Sequence, residues 1–137
     1  DLGVPHEVRG LSATLSPEAV GEYAVTARER GIGVLIAAAG GAAHLAGVVA
    51  SHTSLPVVGI PMETKGLGGL DSLLSTVQMP AGIPVATMAV GRAGAVNAAL
   101  FAIAVLALSR PELGRALEDY RRRQTEKVLA VGDPRRP

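Results

Sequence analysis

A chain of 137 residues, 48% of them hydrophobic, has room for one domain with a real core and is short for two. A formal charge of +1 with two Tyr, one Phe and no Trp gives neither the basic surface nor the stacking rings that nucleic-acid binding calls on. The absence of cysteine excludes disulfides and thiolate metal sites and suits a reducing cytoplasm; the longest apolar stretch, Ala95 to Leu108, is broken by Asn97 and too short for a bilayer, so no membrane partner is expected.

The chain opens Asp1-Leu2-Gly3, with neither a signal-peptide pattern nor an initiator Met, which leaves room for a gene that begins further upstream. Val4 to Val8 reads as a short strand and Leu11 to Leu15 as a loop. Ser16-Pro17-Glu18 then has the composition of a helix start, with Ser at the cap, Pro in the first turn and an acid beside it. Val20, Tyr23, Ala24 and Ala27 recur at helical spacing until Gly31 stops them. A strand follows at Val34 to Ala38, a helix at Ala43 to Ser51, a strand at Pro56 to Ile60, a Gly-rich loop at Gly66 to Gly69, and a helix at Leu70 to Val77. A strand at Pro84 to Val90 leads into the apolar helix. Ser109-Arg110-Pro111-Glu112 opens a charged helix over about 111–128. Strands alternating with helices predict one α/β domain over 1–137 with a parallel, doubly wound sheet.

Ligands of such sheets bind in the loops beyond the carboxyl ends of the strands, here Leu11–Ser16, Ala39–Leu45, Pro61–Leu70 and Gly91–Ala93. The most informative is Gly40-Gly41-Ala42-Ala43-His44-Leu45, a strand delivering a nearly side-chain-free loop and one histidine to a helix start. Its backbone lets a planar ligand approach closely, and its N–H groups favour an anion. Three histidines without a paired carboxylate motif predict no metal site. Asp71 and Ser72 read first as ordinary helix-start residues, and Arg121-Arg122-Arg123 as the solvated or intersubunit face of the last helix. Seventeen glycines and abundant alanine predict closely approaching backbones and a homo-oligomer larger than a dimer.

Three motifs in order carry a resemblance over essentially the whole chain: Gly40-Gly41-Ala42-Ala43-His44-Leu45, the run Gly69-Leu70-Asp71-Ser72-Leu73-Leu74-Ser75-Thr76-Val77-Gln78-Met79-Pro80-Ala81-Gly82-Ile83-Pro84-Val85, and Gly91-Arg92-Ala93-Gly94-Ala95-Val96-Asn97-Ala98-Ala99-Leu100. The chain resembles the class I 5-(carboxyamino)imidazole ribonucleotide mutases, the PurE family of AIR carboxylase catalytic subunits. The resemblance implies a flavodoxin-like three-layer parallel sheet and an octamer whose active sites are shared between subunits. It implies a small-molecule substrate and no cofactor. The family reaction moves a carboxylate from the exocyclic nitrogen of an aminoimidazole ribonucleotide to a ring carbon, through carbon dioxide held in a small dry pocket, with a histidine handling the proton. His44 is then a catalytic candidate. Ser12, Ala13, Gly40, Gly41, Ala42, Ala43 and Leu45 are substrate-binding candidates.

The chain departs from the family pattern at three places. Where the family has Ser-Ala-His-Arg-Thr-Pro, this chain has Ser12-Ala13-Thr14-Leu15-Ser16-Pro17, so Thr14 replaces the proton-handling histidine and Leu15 the phosphate-binding arginine. A threonine hydroxyl does not titrate near neutrality and cannot replace an imidazole as general acid or base, and leucine offers phosphate no charge-assisted bond. Where the family has Pro-Val-Gln-Ser, this chain has Pro61-Met62-Glu63-Thr64-Lys65, and Glu63 or Lys65 is a candidate for the acid–base work absent at Thr14, set against a plain solvated Glu–Lys pair. The family also begins with a strand, a Ser-Asp loop and a helix, roughly thirty residues, that are absent before Asp1; the expectation is either an upstream segment or a rearranged fold. Three functions follow: a mutase of purine biosynthesis, a cofactor-free decarboxylase or carboxylase of another heteroaromatic acid in secondary metabolism, or a non-catalytic paralogue keeping the assembly. Retention of the Gly40–Leu45 loop argues against the third, and loss of the arginine favours the second over it.

Overall fold

Val57-Val58-Gly59-Ile60-Pro61 is a run with no polar side chain, and such a run is stable only where both faces of a strand are covered. In the computed structural model, which describes residues 2–133 and 135, this run is the central strand of a three-stranded parallel sheet, and all five of its residues are buried. The elements in order are α1 (Pro17–Thr26), β1 (Leu35–Ala39), α2 (Leu45–His52), β2 (Val57–Pro61), α3 (Leu70–Val77), β3 (Ala86–Thr87), α4 (Arg92–Ala107) and α5 (Pro111–Ala130). The sheet order is β1-β2-β3, with Leu35 opposite Val57 and Val58 opposite Ala86. This is the expected α/β arrangement, helices on both faces of a parallel sheet.

The two faces follow from the two-residue period of β2. Val57 joins Leu35 and Ala37 in a core closed by Val20, Ala24 and Ala27 from α1 and its following turn, and by Ala46, Val49 and Ala50 from α2. Val58 and Ile60 face the other way, onto Ala98 of α4. Gly59 is where α3 comes down on the sheet: a Cβ there would stand 2.5 Å from Thr76 Cγ2, so no larger residue fits without moving the helix.

The fold separates into two compact units, His6–Ala102 and Asp1–Pro5 with Ile103–Pro137. The first contains the sheet, α1 to α3 and the start of α4. The second contains the end of α4 and α5. Within it Leu113 is buried, and Arg122 bridges Asp119 at 2.8 Å on the exposed side of α5.

Three sequence expectations are corrected, and a fourth, Ser16 at the cap of α1, holds in position without the bond of a cap. Val4–Val8 is not a strand; its second half is instead tied to α1 by side chains, with Arg30 bonded to Glu7 at 3.2 Å and lying 4.6 Å above the Tyr23 ring. The Tyr23 hydroxyl first, then the Arg30 guanidinium, hold the Glu7 carboxyl below its ordinary range, while burial and then Glu7 push the Tyr23 phenol up. The strand predicted at Pro84–Val90 contracts to Ala86–Thr87, the two residues in register with Val58 and Gly59. Proline at 84 has no N–H to give a ladder. Helix α2 starts at Leu45, not Ala43: the Ala43 N–H donates to Ser75 Oγ and the His44 N–H to the Ala42 carbonyl, so this stretch still belongs to the loop. Ser16 stands at the α1 cap but makes no capping bond: its hydroxyl turns back to the N–H and carbonyl of Ser12.

Candidate functional site

Each strand ends in a loop on the same edge of the sheet, and two of these loops are in direct contact. Gly40, just beyond β1, has Met62, Thr64 and Ser72 as its nearest neighbours, at 3.5, 3.7 and 3.8 Å from where a Cβ would stand. The Met62 N–H donates to the Ala39 carbonyl at 2.9 Å, and the Gly91 N–H to that of Pro61 at 2.9 Å, so the ladder continues into the loops and fixes their starting directions.

The Gly40–His44 loop is held by α3. Gly41 donates its N–H to Ser72 Oγ at 2.9 Å, and Ala43 donates to Ser75 Oγ at 2.9 Å. The Ser75 hydroxyl has acceptors in the Asp71 carbonyl at 2.6 Å and the Gly41 carbonyl at 3.0 Å. The His44 N–H donates to Ala42 O at 2.9 Å. Three of the N–H groups expected to favour an anion already have partners, and those without an intrahelical acceptor are in the first turn of α2, beginning at Leu45. His44 precedes that turn, exposed, with no bond from its ring to the helix end.

The loop after β2 is also held by α3. Thr64 Oγ1 donates to Asp71 Oδ1 at 2.7 Å and accepts the Gly69 N–H at 3.2 Å. Glu63 and Lys65 flank that threonine, both exposed, and no ion pair joins them among the described residues. The Glu63 carboxylate lies against Gly91, its Oε1 2.8 Å from the notional Cβ there, which places an acidic group where the third loop turns into α4.

The loop before α1 is closed on itself. Ser12 Oγ accepts the Leu15 N–H at 3.1 Å, and Ser16 Oγ accepts the Ser12 N–H at 2.9 Å. Ala13 is half-buried, whereas Thr14 and Leu15 point to solvent, Leu15 with 89% of its surface exposed. No group of three or more metal-ligating side chains gathers among the described residues. His52 lies over Gly21 between α1 and α2, its ring 3.5 Å from the notional Cβ, away from these loops.

Residues 1–127 match the family model described as AIR carboxylase. The chain belongs to the AIR carboxylase family. It is 53% identical over 134 residues to the N5-carboxyaminoimidazole ribonucleotide mutase of Pseudomonas aeruginosa, covering 98% of this chain and 82% of that one. It is 52% identical to the mutase of the same name from Bacillus subtilis, over 97% of this chain and 82% of that one. The bifunctional purine synthesis protein purC/E of Dictyostelium discoideum is 55% identical over 95% of this chain, which spans 13% of that longer protein.

In this family member the residues that sequence reasoning missed are Ser72 and Ser75. Ser72 lies in the first turn of α3, as its helix-start reading has it, but Gly69 holds the cap position, and Ser72 sits fully buried with its hydroxyl on the neighbouring loop. The available signal was a pair of hydroxyls three residues apart, on the face of α3 that also carries Asp71 and Thr76. No helix of the described residues is long and apolar enough to cross a membrane.

Proposed function

We propose that this chain is an N5-carboxyaminoimidazole ribonucleotide mutase of purine biosynthesis, working as a cytoplasmic homo-oligomer, an octamer by resemblance to its family. The observation that carries the reading is identity at half the positions, over nearly the whole chain, to relatives bearing that name. The reaction is an isomerisation. The carbamate C–N bond breaks, returning its electron pair to the amino nitrogen and freeing carbon dioxide. The electron-rich ring carbon attacks the carbon dioxide, and the proton on that carbon leaves to a base while the nitrogen regains one. Nothing is oxidised or reduced, so the proposed chemistry calls on binding, water exclusion and one proton relay, and on no metal, nucleotide triphosphate or organic cofactor.

The small residues Gly40, Gly41, Ala42 and Ala43 leave room for a planar imidazole, the start of α2 favours its carboxylate, and Ser12, Ala13 and Leu45 are assigned to its binding by resemblance to the family. His44 is the imidazole available to move the proton. Thr14 supplies a hydroxyl but no base, and Glu63 and Lys65 bring exposed charges to the loop after β2. Incubation of the protein with N5-carboxyaminoimidazole ribonucleotide, followed by chromatography, tests this. The carbon-carboxylated isomer is expected to accumulate without added ATP. Recovery of only the decarboxylated aminoimidazole at the rate of buffer alone defeats the proposal; its formation faster than in buffer moves the protein to the decarboxylases.

A further inference from the structure

Helix α3 contributes no candidate to the chemistry, yet it makes the bonds that shape both central loops. Its spacing is the reason. Asp71, Ser72 and Ser75 fall on one face at helical intervals of three and four, and that face is turned to the ends of β1 and β2. The helix is fixed in height by Thr76, whose methyl abuts Gly59 in the middle of β2. Thr76 itself donates its hydroxyl to the Ser72 carbonyl at 2.7 Å, inside the helix and away from the loop.

We propose that Ser72 and Ser75 are positioning residues for His44, setting its place through the Gly41 and Ala43 backbone; the catalytic half of this inference rests on the mutase reading above. A glycine–alanine loop has little side-chain packing of its own, so its conformation is decided by what its amides bond to. Ser72, with none of its surface exposed, offers its oxygen to Gly41, and Ser75 offers its oxygen to Ala43, the residue directly before His44. The one hydroxyl proton of Ser75 goes back to a main-chain carbonyl, which orients the lone pair that Ala43 uses. Removing either hydroxyl leaves a loop amide unpaired and lets the loop drift, and a displacement of about 1 Å at a reacting group costs on the order of a hundredfold in rate.

The test compares Ser72→Ala, Ser75→Ala, Ser75→Thr and Thr76→Val with the parent, by amide hydrogen exchange at Gly41 and Ala43, the His44 ring resonances, and steady-state turnover of N5-carboxyaminoimidazole ribonucleotide. In the two alanine variants the amide that loses its partner is expected to exchange at least about tenfold faster and the His44 resonances to shift, with kcat down about tenfold or more and KM within about threefold. Ser75→Thr keeps the hydroxyl and restores protection and kcat. Thr76→Val removes a hydroxyl of the same helix that does not touch the loop, and leaves loop exchange and kcat as in the parent. The proposal is overturned if Gly41 and Ala43 exchange at parental rates in both alanine variants, or if Thr76→Val lowers kcat as far as they do. Should the parent itself turn over no substrate, the mutase reading falls, while amide exchange and the His44 resonances still decide whether the serines hold the loop.

Discussion

The loop before α1 and the loop before α2 are both built of small residues, and they are held by opposite means. Ser12–Ser16 is closed by hydroxyls within four residues of their partners. Gly40–His44 is closed by hydroxyls more than thirty positions away, on a different helix. A loop shaped by its own serines needs little from the side chains between them, and Thr14 and Leu15 are exposed, with only the Thr14 hydroxyl reaching Ser12 Oγ, at 3.4 Å. A loop shaped by a distant helix keeps its form only while that helix is in place. The first loop depends for its form on its own serines; the second depends on α3.

The largest difference between the two loops is expected in His44→Asn. The ring is exposed and caps nothing, so the melting temperature is expected to stay where it is, while loss of a proton-transfer group lowers turnover by roughly a hundredfold to ten-thousandfold. Steady-state kinetics beside a thermal melt separate the two. Unchanged turnover in His44→Asn, together with its abolition in Thr14→Ala, places the chemistry on the first loop and reverses the assignment.

A smaller effect of the opposite sign is expected from Thr14→His combined with Leu15→Arg. These positions face solvent on a loop whose closure involves neither side chain strongly, so the change installs an imidazole and a guanidinium without disturbing the turn. A charge-assisted hydrogen bond is worth about 1.5–3 kcal/mol, which corresponds to a gain of roughly tenfold to a hundredfold in kcat/KM for the phosphorylated substrate. A parent enzyme already as fast as the double variant shows that Thr14 and Leu15 cost nothing in turnover.

The elements that local rules decide were legible in the chain. Pro17 with Glu18 starts α1, Gly31 at φ +81° lies in the turn beyond it, and the unbroken apolar run at 57–61 is the buried central strand. The errors fall where a distant partner decides. A strand exists only with a neighbour to bond, so Pro84–Val90 shortened to the two residues in register with β2. Ala43 has the propensity to begin a helix, but it stays in the loop, bonded to Ser75 thirty-two residues on, and the helix begins at Leu45. The glycine–alanine loop and His44 could be picked out because their composition is unusual; Ser72 and Ser75 could not, because a serine near a helix start has a commonplace explanation in capping and only the fold shows what its hydroxyl reaches.

The last and smallest expected effect separates the loops by charge. The segment leading to the first loop is fastened by ionisable groups, Glu7 with Arg30 and Tyr23, whereas the second loop is fastened by neutral hydroxyls. The Tyr23 hydroxyl first, and then Arg30, hold the Glu7 carboxyl below its ordinary value, so the folded chain favours its ionised form. The resulting stability is complete above the ordinary carboxylate range and is lost as pH falls through the lowered value. Both partners of the ion pair are about a third exposed or more, 34% for Arg30 and 40% for Glu7, and water and salt keep the effect small. Glu7→Gln is therefore expected to melt slightly below the parent at neutral pH and together with it in acid, while Gly41 and Ala43 amide protection changes little between the two chains at any pH. Thermal melts of both chains across the carboxylate range, at low salt, measure the difference. A gap that persists unchanged into acid means Glu7 acts there through its shape and not its charge, and the contrast between an ionic and a neutral fastening is lost.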